Sequence, residues 1–153
     1  MQVVGFNPNV VHTTAQFAAG QVTTDKDGKK YKYFRYKEAT AAVDGVAGEV
    51  AYYHAPSGAS AGATTDVTSD LSDSSEVGAG VLQVAMSDDE WGWFQIKGPA
   101  TLSIALTGGA DGDPLGPNGA TDGTLDVADA ATDTICAYAI DADANIILCD
   151  FPE

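Results

Sequence analysis

The sequence predicts an all-β fold: an antiparallel β-sandwich or small β-barrel with long Gly/Asp/Ala-rich loops and an N-terminal arm. Three observations lead there. Apolar runs are short and end at clusters of Gly, Pro, Asp and Asn, as strands between turns do. No long window sustains a 3.6-residue apolar repeat, and residues 127–131 offer the best single helical turn. Residues 80–99 alternate on a period of two around a polar tip, Ser87-Asp88-Asp89-Glu90. With 153 residues the chain is long enough for one sizeable core. The reading divides it into an arm, residues 1–14, and a single β domain, residues 15–153.

The arm carries isolated apolar residues (Val3, Val4, Phe6, Val10, Val11) and the turn Asn7-Pro8-Asn9. Such an arm is ordered only when something ties it down, a partner subunit being one such tie. Residues 17–24 and 29–37 read as a hairpin over Asp25-Lys26-Asp27-Gly28, a strong turn signal. In its returning strand the alternation slips at Tyr33-Phe34, which predicts a bulge or burial on both sides. Residues 39–48 are small and polar, a loop or bulged strand. A strand is expected over 49–54, a flexible loop over 56–65, a short strand over 67–71 and a polar turn over 72–80.

The central hairpin joins residues 81–86 to 91–96. Its second strand puts both tryptophans of the chain, Trp91 and Trp93, on one face. Gly92 leaves an open spot on the other face, where a backbone could approach. Gly98-Pro99 reads as the end of that strand. A further β segment is expected over 101–106, an exposed loop over 108–123, and a short strand over 124–128. A closing hairpin joins 134–140 to 145–151.

Charge narrows the partners. Against 22 acidic residues stand seven basic ones, a net charge of -15. That field opposes nucleic acid and anionic membranes. No run is long enough for a membrane-spanning helix. Six of the seven basic residues lie between Lys26 and Lys37: Lys26, Lys29, Lys30, Lys32, Arg35 and Lys37. A basic strand on an acidic body reads either as a docking surface for an acidic partner, a neighbouring copy included, or as lysines that blunt a sheet edge. Interleaved aromatics and cations also suit stacking on single strands of nucleic acid, a reading the long-range field opposes. The N-terminus has neither a basic n-region nor an apolar h-region. Synthesis in the cytosol with Cys136 and Cys149 as buried thiols is therefore the expectation, and a cross-strand disulfide the alternative.

No constellation for catalysis emerges. His12 and His54 stand in no metal-binding spacing, and no G-x-S-x-G elbow is present. Asp141-x-Asp143-x-Asn145 opens like a calcium loop but has Ile146 where the sixth-position glycine belongs and Pro152 in place of the twelfth-position glutamate. It reads better as a hairpin turn. Asp111-Gly112-Asp113 is a second, weaker source of calcium oxygens. The reading has no catalytic, cofactor-binding or metal residues and no cofactor.

The segment Gly80-Val81-Leu82-Gln83-Val84-Ala85-Met86-Ser87, an acidic turn, and Trp91-Gly92-Trp93-Phe94-Gln95-Ile96-Lys97-Gly98 resembles a pattern of tailed-bacteriophage virion structural proteins. The Gly28-Lys29-Lys30-Tyr31-Lys32-Tyr33 hairpin fits the same type, so the resemblance spans about residues 20–100. It implies a capsid decoration, or cement, protein that binds major capsid protein subunits outside the shell, as a homo-oligomer and commonly a trimer. It implies location on the virion capsid surface after synthesis in the host cytoplasm. On that reading Phe6 and Val10 of the arm and Lys29, Lys30, Lys32, Arg35 and Lys37 of the basic strand contact the capsid or a neighbouring copy. A receptor- or glycan-binding module of a tail or fibre, stacking sugars on Trp91, Trp93 and the tyrosines, is the competing class. A hydrolase with an unrecognised site is the third.

Overall fold

The computed structural model describes residues 2–38, 44–55 and 65–153. The loop expected over 56–65 lies outside them except for Thr65, as do residues 39–43 of the segment before the third strand. Among the described residues ten strands form one sheet: β1 Val22–Thr24, β2 Lys30–Tyr36, β3 Val50–His54, β4 Asp66–Thr68, β5 Ser74–Leu82, β6 Trp91–Thr101, β7 Pro114–Gly116, β8 Asp126–Val127, β9 Ala137–Asp141 and β10 Ile146–Asp150. They run in the order β1-β2-β4-β3-β5-β6-β10-β9-β7-β8, and β2 also pairs with β6. That pairing closes β2, β4, β3, β5 and β6 into a five-stranded barrel, and β10, β9, β7 and β8 extend from it as an outer sheet. The fold is all-β, as expected. It is a mixed rather than purely antiparallel barrel, because β2 and β4 are parallel.

Arg35 stands opposite Asp66 in that parallel pair and grips it with two hydrogen bonds, Nε and Nη2 to the carboxylate oxygens at 2.8 and 2.7 Å. Asp66 is buried, so the ion pair pins the short seam that closes the barrel. The slip at Tyr33-Phe34 is resolved by burial on both sides: both residues are inaccessible to solvent. Phe34 points into the barrel with Tyr36, Phe94, Leu82 and Met86, whereas Tyr33 joins Tyr31 and Trp93 in a cluster on the outside.

β6 is the longest strand and serves both halves. Its first residues pair with β2 and β5, and Lys97–Thr101 pair with β10. Gly98-Pro99 therefore does not end it. The side chain of buried Gln95 donates to the carbonyls of Lys97 and Pro99 at 3.2 and 2.9 Å. These bonds bridge the register shift where β6 changes partner. The β segment expected over 101–106 is accordingly a loop beyond Thr101.

Two further expectations change. β5 runs through most of the supposed polar turn over 72–80 and stops at Leu82, so the hairpin's first arm ends early, pairs with β6 only at Val81 and Leu82, and its loop is long. Small residues make this strand. A Cβ on Gly78 would lie 2.8 Å from the Phe151 ring and from Cys136 Sγ. Within the 108–123 loop, β7 buries Leu115, and a Cβ on Gly116 would meet the Thr134 carbonyl oxygen at 2.3 Å. The third cluster, with Tyr52, Ile96, Leu115, Leu125, Ile147 and Phe151, fills the space between barrel and outer sheet. The spot opposite Gly92 is filled by the Met86 side chain, and the backbone carbonyl of Val10 in the arm also approaches, 3.7 Å from where a Cβ would stand.

Candidate interaction surface

The arm is tied down by its own chain. His12 forms a β-bridge with Trp91, and its Nδ1 lies 2.9 Å from the Tyr33 hydroxyl. The Val3 N–H donates to Thr23 Oγ1 at 2.9 Å. Phe6 lies on Tyr31 and, edge-on, on Trp93, with ring centroids 5.0 and 5.2 Å apart. Aromatic contacts of this geometry stabilise by about 0.5–1.5 kcal/mol beyond burial. Residue Val10 remains exposed. The two tryptophans differ: Trp93 is 1% exposed, while Trp91 is half-buried, stacked on Tyr33 and covered by Arg35. The sheet face that the sequence offered as a stacking platform is thus occupied by the arm.

The basic strand is spent internally as well. Lys30 pairs with Glu153 at 2.5 Å. Lys32 donates to the Tyr53 hydroxyl at 3.1 Å and lies near the Phe34 and Tyr53 rings. Arg35 holds Asp66 and Lys37 reaches Asp88 and Asp89, each at 3.1 Å. Burial raises the Asp88 carboxyl, but the Glu38 N–H and Lys37 outweigh it and hold it below its ordinary value. Among the described residues Lys29 has no carboxylate partner. It lines a cleft of about 330 Å³ with Gly48, Gln83, Gln95 and Thr101.

Among the described residues both histidines have polar partners and both cysteines are buried. The His54 Nε2 contacts the Lys37 carbonyl, and His12 a tyrosine hydroxyl. Cys136 and Cys149 are free, and burial pushes both thiols up, Cys149 to about 12, which suppresses the reactive thiolate. Among the described residues no group of three or more His, Cys, Asp or Glu side chains is placed to hold a metal ion. Nor is any helix there long and apolar enough to cross a membrane.

One surface went unnoticed in the sequence. β9 and β10 are apolar on both faces. Ala137, Ala139, Ile147 and Cys149 point inward, while Tyr138, Ile140 and Leu148 point outward at 41%, 47% and 44% exposure. Cross-strand register lines up Pro99, Leu148, Tyr138 and Pro114 as one row across β6, β10, β9 and β7. A sheet with one wet face ordinarily alternates apolar inside with polar outside. The signal was present in the sequence as Ala-Tyr-Ala-Ile and Ile-Ile-Leu-Cys, runs without a polar alternate position.

Comparison with protein-family models, with curated proteins and with solved structures finds no match.

Proposed function

We propose that this protein is a non-enzymatic virion structural protein that decorates the outside of a phage capsid by binding major capsid protein subunits. The observation that carries the proposal is the exposed apolar row on β6, β10, β9 and β7, a surface of the kind that docks protein. The resemblance of residues 80–98 to virion structural proteins supports the same reading. A lattice multiplies a modest contact by repetition, and binding that favours the assembled shell stabilises it by mass action. Self-association as a trimer would match lattice three-fold positions. The glycan-binding alternative gains no support from the tryptophans, since Trp93 is buried and Trp91 lies between Tyr33 and Arg35.

The basic strand is a poor place for the test. Charge reversal at Lys30, Lys32 and Arg35 would free the buried Asp66 and confound detachment with unfolding. The outer sheet face avoids this, because its side chains support no core. Co-sedimentation with purified phage heads should lose at least about tenfold in apparent affinity for Tyr138→Glu/Leu148→Glu, the scale of a docking centre. Occupancy equal to that of the unaltered chain would overturn attachment through this face.

A further inference from the structure

We propose that the outer face of β6, β10, β9 and β7 docks a protein segment with an apolar centre and basic flanks. This rests on the decoration reading and names the chemistry of what the face attaches to. The centre is the row of Leu148 and Tyr138 with Ile140 beside it. Charge defines the ends. At one end Asp141 and Asp143 are exposed in the β9–β10 turn, and Asp111 is held against it by the Ala142 N–H at 2.9 Å. At the other end Asp150 is paired with Lys97, so the cation nearest the row is already neutralised. Among the described residues no cation pairs with Asp111, Asp141 or Asp143, so the patch is apolar with an acidic end, on a chain of net charge -15.

Complementarity selects the partner. A second copy would bring like charge to the acidic end and repel it at every distance below the screening length. A segment with Lys or Arg flanking Leu, Phe or Val satisfies both the row and its acidic end. The apolar centre then supplies affinity, and the flanks supply orientation and on-rate.

The test is a methyl and amide NMR titration of the full chain with two acetylated, amidated hexapeptides. One is Lys-Leu-Phe-Val-Leu-Lys, the other Glu-Leu-Phe-Val-Leu-Glu. The proposal expects shifts at Tyr138, Ile140 and Leu148 with the lysine peptide, at least about tenfold weaker binding of the glutamate peptide, and loss of that preference at high salt. Tyr138→Ser/Leu148→Ser should abolish the shifts, and Asp141→Asn/Asp143→Asn should weaken only the lysine peptide, with spectral dispersion reporting that both variants fold. Equal affinity for the two peptides would overturn the basic-partner assignment. Concentration-dependent shifts of these signals without peptide would give the face to a second copy instead. Absence of shifts at the face with either peptide would overturn docking there, whereas head binding by the unaltered chain separately decides the decoration reading.

Discussion

Arg35 and Gly116 show how much of this fold rests on single side chains. Replacing Arg35 with Met removes the only cation that touches Asp66 among the described residues and leaves a buried carboxylate unpaired. Breaking such a pair costs about 3–5 kcal/mol. Urea denaturation should show a loss in that range, and a change below about 0.5 kcal/mol would mean that the seam closes without the pair. Gly116→Ala drives a methyl group into the Thr134 carbonyl, backbone that cannot swing away. A loss of about 1–3 kcal/mol is expected by the same assay. Gly92→Ala meets only the mobile end of Met86, so it should cost less than Gly116→Ala.

At the scale of elements, the arm is the piece whose tie the sequence left open. Its apolar residues called for something to tie it down, a partner subunit being one option, and Phe6 and His12 supply a tie within the chain by seating it on β2 and β6. Deleting residues 1–16 should uncover Trp93 and Tyr33, red-shifting the tryptophan emission and admitting acrylamide. Unchanged emission and quenching would show that the arm does not cover them. The same scale explains what could be read in advance. The β1–β2 and β9–β10 hairpins were legible because Asp-Gly and Asp-Ala-Asp-Ala-Asn turns separate short runs rich in apolar and aromatic residues. The course of β5 was not, since Ser, Gly and Ala carry little hydrophobic signal, and their role depends on Phe151 packing from far along the chain. Nor was the continuation of β6 past Gly98-Pro99, which depends on hydrogen bonds from Gln95. The basic strand was visible as composition. The ion pairs of Lys30, Arg35 and Lys37 were not, because Glu153, Asp66, Asp88 and Asp89 come from other parts of the chain.

Titration belongs to the whole molecule. Burial, helped by Asp25, raises Tyr31; burial also raises Tyr36, Tyr52 and both cysteines. A group raised in the folded state gives stability that is intact below its unfolded value and lost as pH climbs toward the folded one. Unfolded Cys and Tyr titrate near 8.5 and 10 (roughly), so unfolding free energy should fall steeply above about pH 9. On the acid side Asp88 is held low, against its burial, by the Glu38 N–H and Lys37, so its contribution is present above the ordinary Asp value near 3.9 (roughly) and fades as pH falls below it. Stability that stayed level from about pH 8 to 11 would contradict the buried tyrosines and thiols.

These scales meet in the proposed attachment to a capsid. The chain is an acidic barrel whose basic strand is largely paired within the molecule and whose outer sheet is apolar on both faces, and the proposal places docking on that outer sheet. The most direct measurement is saturation binding of the purified chain to phage heads stripped of their decoration, read as copies bound per head. Binding should saturate at a number fixed by the lattice symmetry, with the loaded heads surviving heating that breaks bare ones. Absence of saturable binding, or binding that leaves the thermal stability of the heads unchanged, would contradict the decoration reading.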